Sequence, residues 1–230
     1  MDLGLYIAAS GMVAQQVRQD QLANNLANSS TPGYKASEST QHSFGALLLS
    51  NSATGQSIGS ISAGVESGKA YTDLAPAGAH ETGEPLDFAI EGEGFFAVRT
   101  AQGVRYTRDG QFGVSASGLL TDSFGNEVLG QGGAPIKVGA EGTVPPAGLG
   151  VFKLTAPEKQ GENLYTGTVA GRATGTVRAG ALEESGVDPV TAMVQMMTAL
   201  RTFQSGQQAI SAIGQTLQAA ATQVGSVSGS

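Results

Sequence analysis

The chain has no cysteine and no tryptophan among its 230 residues. Without thiols there is neither a disulfide framework nor a thiolate-held metal, so packing and hydrogen bonding must hold the fold. Charged residues make up 13% and aromatics 6%, so the large anchors that dominate compact enzyme cores are scarce. Twelve lysines and arginines stand against nineteen acids for a formal net charge of −7. The basic residues form no run, which argues against nucleic acid as a partner. No stretch approaches the ~18 apolar residues of a membrane span, and no membrane insertion is expected. The opening MDLGLYIAASGMVAQQ has a short apolar run, but it follows Asp2 rather than a basic segment and becomes Gln-rich. It reads as no cleaved signal.

What the chain does have is 34 glycines and a change of character along its length. From Leu5 to Leu26 the inner positions step by three and four through Leu5, Ala8, Met12, Gln15, Gln19, Leu22 and Leu26, a heptad seam. The far end repeats this through Met193, Met196, Leu200, Phe203, Gln207, Ile210, Gly214, Leu217, Ala221 and Val224, with Met197 and Ile213 beside it. Asp188-Pro189 supplies a start signal for that helix, aspartate as cap and proline in the first turn. Residues 36–80 are rich in Ser, Gly and Ala and read as an irregular connector with a short strand near Ile58 to Val65. Residues 86–180 alternate short β-prone runs with glycines (LDFAI, GFFAVR, VRYT, QFGV, GLLT, EVLG, APIKV, VFKLT, NLYTGTV, GTVRAG), which predicts a small all-β domain. The expected fold is mixed α and β. Long N- and C-terminal helices (1–32 with 185–230) form a coiled-coil-like inner domain, 33–80 is the connector, and 81–184 is the central β domain.

Chemical motifs are weak. Gly55-Gln-Ser57-Ile-Gly59, followed by Asp73 and His80, matches a nucleophile elbow, but the elbow needs a buried strand before the serine and a helix after it. A Ser-dependent hydrolase is therefore the alternative of a different class. Gly92-Glu-Gly94 resembles a dinucleotide fingerprint with Asp109 as ribose acceptor, yet FFAVR after it reads as a strand, and hairpin glycines explain it better. His42 and His80 have no carboxylate at ligand spacing, so no metal and no cofactor are expected. The acids Glu81, Glu84, Asp87, Glu91 and Glu93 read as a solvated face. In NNLANSSTPGYK a helix stops in an Asn/Ser cluster and turns on Pro32-Gly33.

Four blocks then carry a resemblance: GLYIAASGM; QDQLANNLANSSTPGYK; PLDFAIEGEGFFAVRTAQGVRYTRDGQF; and GALEESGVDPVTAMVQMMTALRTFQ. Their order and content resemble the bacterial flagellar basal-body rod and hook proteins. Pro85 before Leu86-Asp87, and Pro189 in ESGVDPV, look most like the proximal rod members, with a distal rod or hook-type axial protein as the alternative. The resemblance implies a structural subunit and no enzyme. Such a subunit is exported by the flagellar type III apparatus and polymerised as a homo-oligomer within a helical tube, next to other rod and hook proteins, where the rod crosses the periplasm or cell wall. It implies an assembly interface on Leu5, Met12, Leu22, Leu26, Met193, Met197, Leu200, Phe203, Ile210, Ile213 and Leu217. It also implies a signature turn on Asn24, Asn25, Asn28, Pro32 and Gly33, where the chain leaves the inner helix.

Overall fold

The computed structural model describes residues 3–43, 45–50, 57–62 and 64–227. The chain is mixed α and β, with N- and C-terminal helices flanking a central β domain, and it divides into two compact units. Among the described residues no helix is long and apolar enough to cross a membrane.

The first unit holds helix α1 (Leu3–Ala27), strands β1 (Ser37–Ser43), β2 (Ala46–Ser50), β3 (Ser57–Ser62) and β4 (Val65–Thr72), and helix α2 (Pro189–Val227). α2 begins at the proline, as the start signal predicts. Its 39 residues extend about 58 Å at 1.5 Å each. The two helices run antiparallel. A Cβ on Gly4 would stand 3.7 Å from Ile213, and one on Gly206 only 2.8 Å from Met12; Gln195 shares a cleft with Leu22 and Asn25. The stretch 36–80 was expected to be an irregular connector with one short strand near Ile58 to Val65; β3 lies at that strand, and β1, β2 and β4 go beyond the expectation. β1 pairs with β4 and, nested between them in sequence, β2 pairs with β3 in a ladder from Ala46↔Ser62 to Ser50↔Ser57. Backbone hydrogen bonds alone build such ladders, and β1 (SESTQHS) and β4 (VESGKAYT) carry too few apolar residues for a reading by composition to find them. The β1–β4 pair lies on α1: Gln41 donates to the Ala14 carbonyl and the Val65 amide to Ser10 Oγ.

The second unit holds β5 (Ala79–Glu81), β6 (Phe88–Glu91), β7 (Phe95–Thr100), β8 (Gly103–Thr107), β9 (Gly113–Val114), β10 (Leu120–Thr121), β11 (Glu127–Leu129), β12 (Val151–Lys159), β13 (Leu164–Arg172), β14 (Thr176–Ala179) and β15 (Ala181–Glu183). β12 pairs with both β13 and β7, and β8 bridges β13 and β7, so these four strands close on themselves. The β12–β13 ladder carries two register shifts, at Lys153/Leu154 and Thr155/Glu158, irregularities of the kind that let strands bend. β11, β10 and β9 continue the sheet from β7, while β6 pairs with β14 and β5 with β15.

β7 is buried on both faces: Phe96 and Val98 enter one core with Phe88, Phe112 and Leu149, and Phe95 enters the other with Leu154 and Tyr165. Phe96 meets Phe112 edge-on at 5.3 Å, a favoured aromatic geometry. APIKV, expected as a strand, makes only isolated bridges at Pro135 and Lys137, because Pro135 has no amide to give a ladder. Gly92-Glu-Gly94 is no hairpin turn: it joins β6 and β7, which pair with different strands.

Candidate functional site

The turn that ends α1 is where the sequence concentrates its special geometry. Asn25 is buried and pairs with the backbone of Ser37, giving Nδ2–H to its carbonyl at 2.9 Å and accepting its amide at 3.1 Å. Asn24 is exposed on the same helix. After Ala27 the Asn28 carbonyl accepts the Thr31 amide and the Ser185 hydroxyl, and Asn28 Oδ1 accepts the Thr31 hydroxyl. The Pro32 carbonyl takes Asn163 Nδ2–H at 3.1 Å. Gly33 has φ +62°, and a Cβ there would fall 2.3 Å from the Arg108 carbonyl oxygen. Both facts demand glycine. Its amide donates to the Glu183 carbonyl, and the Gly186 amide donates back to the Tyr34 carbonyl. The two chain segments entering and leaving the β domain are thus tied side by side as a neck.

Inside the neck lies a buried ionic cluster that sequence reasoning did not find. Lys35 Nζ is 2.6 Å from Glu183 Oε1 and 2.7 Å from the Ala75 carbonyl. Arg108 Nη1 is 3.2 Å from Glu183 Oε2, and its Nη2 donates to the Gly92 carbonyl at 2.8 Å. Lys35 and Glu183 are each 1% exposed. Two cations share one carboxylate, and backbone carbonyls take the excess positive charge; this is the condition on which buried ions are tolerated. Tyr34 is buried beneath Lys159, whose Nζ stands 3.6 Å from the ring centroid and donates to the Lys35 carbonyl. Burial draws Lys159 down to about 8 and pushes the Tyr165 phenol above its ordinary value. Asp109, next to Arg108, is raised to about 6, chiefly by burial and further by Asp122 and Asp87, against the pull of the Gln111 amide. The one legible signal was position: Lys35, Arg108 and Glu183 fall one each in three of the blocks quoted above.

The helices present two kinds of face. On α1, Leu22 is buried and Leu5, Met12 and Leu26 are half-buried, whereas Leu3, Tyr6, Val13 and Val17 are exposed. On α2 the covered positions are Ala192, Met196, Ala199, Phe203, Gly206, Ile210 and Ile213, stepping by four and three. Met193, Met197, Leu200 and Leu217 are exposed, and so are Val190 and Val194. Val224 lies outside the described side chains.

The remaining motifs are ordinary structure. Gly55 and Gln56 lie outside the described residues, and Ser57 opens a strand rather than a helix. His80 is exposed on β5, Asp73 caps the Ala75 amide, and His42 meets Thr40 at 3.0 Å. Among the described residues no group of acids and histidines is placed to hold a metal. The acidic run is partly paired: Glu81 and Glu91 with Arg178, and Glu93 with Lys153, which holds the Glu93 carboxyl below its usual range.

A β domain with a buried ionic neck, joined in one chain to two long helices and holding no catalytic constellation among the described residues, is the architecture of a structural protein. Three family models match successive parts of it: a flagella basal body rod protein model over residues 5–35, the flagellar hook protein FlgE/F/G D1 domain over 89–179, and the flagellar basal body rod FlgEFG protein C-terminal model over 178–223. The chain is 33% identical to the flagellar basal-body rod protein FlgF of Mesorhizobium japonicum, covering 89% of this chain and 90% of the relative. It is 32% identical to the rod protein FlgG of Bacillus subtilis (93% and 96%) and 30% identical to FlgF of Salmonella typhimurium (93% and 94%). The chain belongs to the bacterial flagellar basal-body rod protein family.

Proposed function

We propose that this chain is an axial subunit of the flagellar rod, of the proximal type. It is exported by the flagellar type III apparatus and polymerised with copies of itself and with other rod and hook proteins into a tube that crosses the periplasm or cell wall. In this reading residues 1–32 and 185–230 form a coiled-coil-like inner domain, 33–80 a connector, and 81–184 a β domain. The observation that carries it is the outer face of α2. In a helix of 39 residues whose one charge is Arg201, Met193, Val194, Met197 and Leu200 stand 46–54% exposed. A row of that kind is apolar surface awaiting a partner.

Leu5, Met12, Leu22, Leu26, Phe203, Ile210 and Ile213 then join the helices within the chain, and Met193, Met197, Leu200 and Leu217 join neighbouring subunits. The test is a cell whose own copy is replaced by Met197→Asp. Hook-basal bodies purified from the parent should contain the chain by mass spectrometry. The mutant should export it at normal level yet build no rod and fail to spread in soft agar. Normal swimming at normal protein level would overturn the reading.

A further inference from the structure

Residues 27–36 belong to the β unit, while the chain immediately before and after them belongs to the other unit. The segment reaches the β domain as an island, and what holds it is what holds a bound peptide. The Pro32 carbonyl is taken by Asn163, and Gly33 lies so close on the Arg108–Asp109 peptide that no side chain fits between. The Tyr34 ring is capped by the Lys159 ammonium. The Lys35 ammonium ends between Glu183 and the Ala75 carbonyl. Four successive residues are each read by a different chemistry: carbonyl acceptor, absence of a side chain, aromatic face, ammonium.

We propose that the β domain carries a peptide-recognition groove for a Pro-Gly-Tyr-Lys segment, filled here by the chain's own residues 32–35 and able to take the same segment from a second copy of this chain. A second copy is the occupant the chemistry favours, because it presents the identical four residues in the identical turn. Glu183, left without Lys35, also demands a cation to replace it. The inference does not rest on the rod reading, since it concerns two copies in solution.

The test uses two full-length variants. In the acceptor, Gly33→Val with Lys35→Ala spoils the segment and leaves the groove. In the donor, Glu183→Ala spoils the groove and leaves the segment. Mixed, they should form a one-to-one heterodimer by native mass spectrometry. A fluorescent peptide of residues 27–36 should bind the acceptor about tenfold or more tighter than it binds the donor. Two monomers and equal peptide binding would overturn the proposal.

Should the acceptor fail to fold, the wild-type chain decides by hydrogen exchange. The Gly33 and Gly186 amides, which cross the neck, should exchange about tenfold or more faster than the amides of β7, because the segment leaves while the core stays closed. Exchange in step with β7 would make the segment inseparable from the domain and end the proposal.

Discussion

Glu183 is the residue on which the neck depends, because its carboxylate is the shared partner of Lys35 and Arg108. Glu183→Ala leaves two buried cations facing each other, a change that costs about 3–5 kcal/mol and lowers the melting temperature by roughly 10 °C or more. Lys35→Met leaves the Glu183–Arg108 pair intact and should cost clearly less; equal losses by calorimetry would show that the three groups do not act as one cluster. Asp109 gives the β domain a pH dependence. Its folded pKa of about 6 lies above the ordinary 3.8, so the folded state holds the proton more tightly and stability falls as pH rises from about 4 through 6. The rise from 3.8 to about 6 amounts to at most about 3 kcal/mol. The domain should therefore melt higher at pH 5 than at pH 7.5, and Asp109→Asn should flatten that slope. None of these roles was legible in the sequence. Lys35, Arg108 and Glu183 stand 148 and 75 residues apart in their pairs, and no periodicity joins them. Pro32-Gly33 was legible, because turn chemistry is local.

At the scale of the element, α2 shows both the reach and the limit of periodicity. A heptad stripe was expected and one is covered, but its small members are Ala192, Ala199 and Gly206. Of the expected seam, Met196, Phe203 and Ile210 lie on the covered stripe, whereas Met193, Leu200, Gln207, Gly214 and Leu217 are exposed. Close approach goes with this: a Cβ at position 206 would stand 2.8 Å from the Met12 side chain, which would have to move aside. The distinction is measurable. Phe203→Asp buries a carboxylate between α1 and α2 and should lower the helical circular dichroism of the monomer, whereas Met197→Asp should leave it unchanged and act only on assembly. Similar dichroism losses from both would mean that the two faces are not distinct. The β strands were largely legible because β-branched and aromatic runs alternate with glycine turns. In the stretch before them the strand near Ile58 was legible, and the pairing of β1 with β4 was not, since SESTQHS and VESGKAYT show no clean alternation of apolar and polar residues.

For the whole molecule, the division into two units leads to an expected digestion pattern. Limited proteolysis should remove the chain ends and the nested strands before it touches Leu86 to Val114. The resistant β domain should retain residues 28–36 non-covalently, because the neck ties them to residues 183–186; a resistant core lacking that segment under native conditions would contradict the neck. The same tie sets the order of folding. Lys35 and Glu183 close a loop of 148 residues, and long loops are closed late because their entropy is lost before any contact compensates it. The Pro-Gly turn near the N-terminus has its Glu183 partner only once all of the chain but its last helix is present. The neck is then a late long-range closure, and the approach of Ile213 to Gly4 closes a longer loop still.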